Sequence, residues 1–164
     1  MRFNVSNPFE FFKKIASLKE SIAILLISAT VFVAFNEISI RTGFTKYMPK
    51  AGPVQSIISN FIAILAGFLI ISVFLYIMFR LCKKKISIKS VVFVVAYSFM
   101  PLLLVGWIPM GFVTAIAALL SFFYLLIGAS VVASISYKKS FIIALIEFCI
   151  LAALVIAVNI LFVK

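Results

Sequence analysis

The 164-residue chain contains no histidine and no aspartate, only two cysteines, and just four carboxylates, all glutamate. Without histidine there is no Ser-His or Cys-His catalysis, no His-ligated zinc or haem, and no imidazole proton relay. Cys82 and Cys149 stand far apart with no CxxC spacing, so a cysteine cluster for metal or redox chemistry is excluded. Glu10, Glu20, Glu37 and Glu147 are too few and too scattered for a multi-carboxylate Mg²⁺ or Ca²⁺ site. These absences argue against an enzyme, and they imply neither a cofactor nor a metal centre.

Charge is scarce as well. Charged residues make up 12% of the chain, about half the share in an average soluble domain. In their place the chain is 66% apolar, with a mean hydropathy of +1.33. A soluble domain of this size cannot hide that much apolar surface from water. The sequence therefore describes an integral membrane protein, all-α and polytopic. Its net charge of +11 lies beside hydrophobic runs. That placement points to topology and to anionic lipid head groups rather than nucleic acid, for which groove-reading motifs are also missing.

A spanning helix needs about 20 predominantly apolar residues. Four stretches read as membrane-crossing, and one of the four is long enough to fold back on itself. Residues 90–137 carry no charge; as a single helix they would extend roughly 72 Å, more than twice the hydrocarbon core. The break falls at Gly106-Trp107-Ile108-Pro109-Met110-Gly111, where glycine and proline end helices and tryptophan favours the interface. The expected fold is a five-transmembrane-helix bundle with spans at about 21–40, 56–79, 91–107, 112–136 and 140–163. Span one is read as retained, because no small-x-small cleavage site follows it. The chain then divides into a cytoplasmic segment, 1–20, and a membrane domain, 21–164.

Asn7-Pro8-Phe9-Glu10 carries helix-start signals. Beyond it, Phe11, Phe12, Ile15, Ala16 and Leu18 share one side of a helical wheel, opposite Glu10, Lys13, Lys14, Ser17 and Glu20. This pattern predicts a short N-terminal interfacial helix lying in the head groups, with Phe11, Phe12, Ile15 and Leu18 facing the lipid. The small-xxx-small pairs Ala63/Gly67, Ala129/Ala133 and Ala153/Ala157 are expected to pack within the bundle.

Four polar residues lie eight positions from the inner charges on four different spans: Ser72, Tyr97, Ser130 and Glu147. At 1.5 Å per residue they share a layer about 12 Å from the cytoplasmic ends. A carboxylate in a span costs about 2.5–3.5 kcal/mol on insertion scales, so Glu147 faces protein or a wet cavity, or carries a proton. Pro101 removes the helical donor of the Tyr97 carbonyl, so Tyr97, Ser98 and Pro101 add a kink and a polar level to the same layer. A hydrogen bond between Tyr97 and Glu147, direct or through one water, is expected there. Two uses of the layer stay open: a packing device, or the polar path of a small transporter or channel component. At the inner surface, Arg80, Lys83, Lys84, Lys85 and Lys89 form a basic cluster. It serves as a topology anchor or as a surface for anionic lipid or a protein partner.

The opening Asn-Pro-x-Glu-x-Phe, the basic second loop, and the stretch Lys85-Ile86-Ser87-Ile88-Lys89-Ser90 running into Ala96-Tyr97-Ser98-Phe99-Met100-Pro101 resemble the Yip domain family of Ypt/Rab GTPase-interacting proteins. The likeness in layout covers nearly the whole chain. It implies a non-enzymatic multi-pass protein acting through membrane organisation or partner binding, with Rab-type GTPases and vesicle traffic as the setting of the eukaryotic members. The long N-terminal region and Asp-Leu-x-Gly-Pro motif of those members are missing. The chain is therefore more similar to the stand-alone prokaryotic type, with an expected place in a prokaryotic cell membrane. Homo-oligomerisation stays open.

Orientation follows from lysine and arginine. With the N-terminus inside, eleven of the fifteen lie on the inner side. Single cysteines replacing Lys84 and Lys138 in a Cys-free background should label from the cytoplasm, and those replacing Lys46 and Lys164 from outside. Labelling of positions 46 and 84 from one side would end the five-span topology.

Overall fold

The computed structural model describes residues 12–13, 17–42, 52–108 and 110–162, with side chains of the last helix described through residue 150 and at 153. The described residues form five long helices and no strand: α1 (Leu18–Arg41), α2 (Pro53–Leu81), α3 (Ile88–Val105), α4 (Gly111–Ala133) and α5 (Tyr137–Phe162). Each expected span corresponds to one helix. Four of them, α1 to α4, are long and apolar enough to cross a membrane.

Local chemistry sets the helix ends. Ser17 caps α1 through a capping box: its Oγ accepts from the Glu20 N–H at 3.2 Å, and the Glu20 carboxylate accepts from the Ser17 N–H at 2.9 Å. Pro53 opens α2, where a missing N–H costs nothing. α2 ends in a left-handed residue, Lys83 (φ 59°), and the following Lys84 N–H returns to the Phe79 carbonyl. Ser87 caps α3. α4 ends at Ser134, also left-handed (φ 47°). At the turn between α3 and α4, Trp107 donates to the Leu104 carbonyl at 2.7 Å and stacks on Phe35 of α1, with ring centroids 4.7 Å apart.

α3 is the centre of the bundle. It packs most extensively against α4 and α1, and every residue from Phe93 to Phe99 is buried. α2 is the longest helix and, of α1 to α4, keeps the least of its surface inside the protein. Leu69, Ile62 and Val54 point outward from it, as lipid-facing side chains do. The interior, in contrast, is rich in serine. Ser21, Ser28, Ser56, Ser72, Ser90, Ser98, Ser121, Ser130 and Ser140 are all buried. Small side chains let backbones approach where apolar burial gives no driving force.

Two expectations require correction. Ala129 and Ala133 are buried as predicted, but Ala63 is exposed and nothing lies within 4 Å of where a Gly67 side chain would begin. That pair faces outward from α2, so close packing in the bundle is not its role. The second correction concerns Phe12. Its ring is buried in the bundle between α3 and α4, 5.7 Å from Phe93 and 6.4 Å from Tyr124 by centroids, so it faces protein rather than lipid. Its seat is Gly128, where a Cβ would come within 2.9 Å of the Phe12 ring and 3.0 Å of Val94. Leu18, assigned to the same lipid-facing side, is the first residue of α1 and is half-buried. Phe11 and Ile15 lie outside the described residues.

Phe12 and Gly128 therefore form one joint. Gly128→Leu should overpack it and cost about 1–3 kcal/mol, and Phe12→Ala should cost about 3–5 kcal/mol by leaving a cavity. The two costs should be strongly non-additive, since the shortened residue 12 makes room for the larger residue 128. Unfolding in detergent measures both; simple additivity would show that the ring is not seated at Gly128.

Candidate functional site

Among the described residues, two carboxylates lie inside the helical bundle, and their surroundings differ. Glu37, near the C-terminal end of α1, is fully satisfied. Its carboxylate accepts from Arg41 Nε at 2.8 Å and from Ser56 Oγ of α2 at 2.9 Å, tying the two helices together. Glu147, in α5, is 1% exposed, and neither of its oxygens has a hydrogen-bond partner.

Of the residues expected in the inner-half layer, several are buried and one is used elsewhere. Tyr97 is buried, with its ring edge-on to Phe93 at 4.8 Å, and it lies within electrostatic reach of the Glu20 carboxylate in the first turn of α1. Ser98 and Ser72 are buried, and their hydroxyls make no hydrogen bond. Pro101 is half-buried inside α3. The direct Tyr97–Glu147 hydrogen bond is not made, because both Glu147 oxygens are unpartnered. Ser130 does not join the layer. Its hydroxyl donates to the Ile135 carbonyl at 3.1 Å while the Ile135 N–H returns to the Ser130 carbonyl, so it closes the α4–α5 turn. One turn from a helix end, the nearest unsatisfied backbone group captures a serine before a distant carboxylate does.

Counting depth missed Ser121. This residue is fully exposed to protein and not at all to solvent, at 0% accessibility, and its hydroxyl is also unpartnered. It lies on the inward stripe of α4 with Ala117, Leu125, Gly128 and Ala129. An aromatic trio marks its level. Phe148 of α5 meets Phe122 of α4 edge-on at 5.3 Å and stacks on Phe99 of α3 at 6.1 Å. The residue before each ring is polar and buried: Ser121, Ser98 and Glu147. This Ser-Phe, Ser-Phe, Glu-Phe echo was present in the sequence, and it is the signal that would have found the third helix.

Around the α2–α3 turn, Arg80, Lys83, Lys85 and Lys89 are exposed, and Lys84 is half-buried. They flank the left-handed turn between α2 and α3. Arg80 donates from Nε and Nη2 to the Tyr76 hydroxyl at 3.0 and 2.9 Å, and its guanidinium carbon lies 5.3 Å from that ring's centroid. The other four basic side chains make no ion pair among the described residues. The turn thus presents a cluster of cations to whatever lies beneath it.

Comparison with known proteins agrees with this architecture. Neither curated proteins nor solved structures give a significant match. A family model, the Yip1 domain, matches residues 3–159, nearly the whole chain, including the α2–α3 basic turn and the Tyr97–Pro101 segment of the buried helix. With its all-helical fold and apolar helices, the chain belongs to the Yip1 domain family of multi-pass membrane proteins.

Proposed function

We propose that this protein works without catalysis, as a five-span membrane scaffold that gathers anionic lipid heads, or an acidic protein face, at the basic α2–α3 turn. In this reading residues 1–20 are cytoplasmic and residues 21–164 form the membrane domain. α5 crosses as the fifth span and brings the C-terminus outside, in a prokaryotic cell membrane. The observation that carries the reading is the exposure of Arg80, Lys83, Lys85 and Lys89 around one turn, next to the α2 surface that faces lipid. Each lysine or arginine near an anionic surface is worth about 1 kcal/mol, within a Debye length. Membership of the Yip1 family adds a GTPase as the class of protein partner to test.

Native mass spectrometry of the detergent-purified protein, offered equal amounts of phosphatidylglycerol and phosphatidylcholine, tests the lipid arm. Phosphatidylglycerol should be retained in preference, less so as salt rises. A Lys83→Ala, Lys84→Ala, Lys85→Ala triple variant should lose about tenfold or more of that preference. Equal retention of the two lipids by the wild-type protein would defeat the reading.

A further inference from the structure

Five buried side chains among the described residues carry oxygens without a hydrogen-bond partner: Ser39, Ser72, Ser98, Ser121 and Glu147. Ser39 lies apart, near the outer end of α1. The other four come one each from α2, α3, α4 and α5, and the helix register draws them to one level.

α4 and α5 run antiparallel, tied by the Ser140 hydroxyl, which donates to the Leu126 carbonyl at 2.6 Å, and by the Phe148–Phe122 contact. Seven residues onward from Ser140 is Glu147, and seven back from Leu126 is Leu119. One residue before Phe148 is again Glu147, and one after Phe122 is Phe123. Glu147 therefore faces α4 between positions 119 and 123, with Ser121 midway. Glu147 also continues the buried stripe of α5 formed by Ser140, Ile143 and Ala144. Ser98 reaches the same level from α3, because the neighbouring Phe99 stacks on Phe148. Ser72 lies on the inward stripe of α2 with Leu75 and Phe79, and α2 packs against both α3 and α5.

The hydroxyls are informative because several others in this protein take the usual intrahelical acceptor. Ser21, Thr30 and Thr42 each donate to the carbonyl four residues back. Ser72, Ser98 and Ser121 do not. Three hydroxyls and a carboxylate thus lie buried at one level of the bundle, each without a hydrogen-bond partner, in a region where an unmet polar group is costly.

We propose that Glu147, Ser98, Ser121 and Ser72 bind one dehydrated monovalent cation of sodium size in the middle of the bundle. All four donors are hard oxygens, the ligand type that alkali and alkaline-earth cations prefer. One carboxylate balances one positive charge, so a monovalent ion leaves the site neutral, whereas a divalent ion would leave a net charge in low dielectric. No lysine or arginine of α2 to α5 lies at this depth: Arg80, Lys89, Lys138 and Lys139 all sit at cytoplasmic helix ends. A proton would neutralise Glu147, but it would not reach three separated hydroxyls. The inference is independent of lipid gathering at the basic turn, and either can fail without the other.

Equilibrium binding of radioactive sodium to the detergent-purified full chain tests it. Binding should be saturable and displaced by unlabelled sodium, and it should not be displaced by choline at equal ionic strength. Ser98→Ala and Ser121→Ala should each weaken binding about tenfold, the loss of one oxygen ligand. Glu147→Gln should abolish it while the protein stays helical and monodisperse; if that variant does not fold, the two serine variants decide. Sodium should also raise the unfolding midpoint of the wild type over choline, by mass action on the folded state. Absence of saturable wild-type binding would overturn the proposal, as would sodium affinity unchanged in both serine variants.

Discussion

α3 lies between α1 and α4 with its middle wholly enclosed, and the other helices take their places from it. In a bilayer the lipid tails are as apolar as leucine, so enclosure is not driven by the hydrophobic effect. It depends on close packing and on polar contacts between helices. α3 supplies both: Val91, Val94, Val95 and Ala96 pack tightly, while Ser90, Tyr97 and Ser98 carry polar groups inward. Gly128 and Ala129 on α4 have little or no side chain to hold the two helices apart. The groove that remains between α3 and α4 is filled by Phe12. A residue from before α1 thus becomes part of the core. The opposite end of the bundle is held differently, by the Trp107–Phe35 stack and the Glu37–Ser56 hydrogen bond.

The helices were legible from the sequence because charge and length specify them. Each expected span falls on a helix and differs from it by a few residues at the ends. The differences have local causes. Ser17 and Glu20 start α1 earlier than the first uncharged residue, through a capping box that a search for charge-free runs passes over. The fold-back at Gly106 was visible because an uncharged run of that length has no other way to fit a membrane. The directions in which the helices face were much less legible. In a soluble protein, polarity alternates with the helical period and marks the buried side. Here both sides are apolar, since one meets protein and the other meets lipid. What distinguishes them is the placement of small and weakly polar residues, a fainter pattern. That is why the small residues Ala63 and Gly67 suggest an inward face; for Phe12 the apolar side is plain, but apolarity alone does not say whether it meets lipid or protein.

The polar layer was legible in part for the same reason. Counting residues from the basic clusters gives depth, and depth relates Ser72, Tyr97 and Glu147, with Ser98 entering as the neighbour of Tyr97. It does not give the competing acceptors nearby. Ser130 lies close to the end of α4, where the Ile135 backbone claims its hydroxyl. On α4 the count from Lys138 runs back through the turn after Ala133, so it singles out Ser130, close to the helix end, and passes over Ser121. Only the aromatic contacts between helices bring it to the level of Glu147.

The two intramembrane glutamates show how depth decides which partner a carboxylate can have. Glu37 is four residues from the end of α1, and Arg41 reaches back to it while its side chain stays 47% exposed. An arginine can do this because its apolar stem crosses the interface while its head remains near water. Glu147 stands eight residues beyond Lys139, about 12 Å along the helix. A lysine stem cannot cover that distance and still keep its ammonium in the head groups. Moving a lysine or arginine to the depth of Glu147 would bring a second expensive side chain into the hydrocarbon. Its long stem would also need space that the serines and alanines between α3, α4 and α5 do not leave. Balance at this level therefore falls to a species small enough to enter a packed interior without a side chain of its own, and serine is the residue that can ligate such a species while still letting helices approach closely.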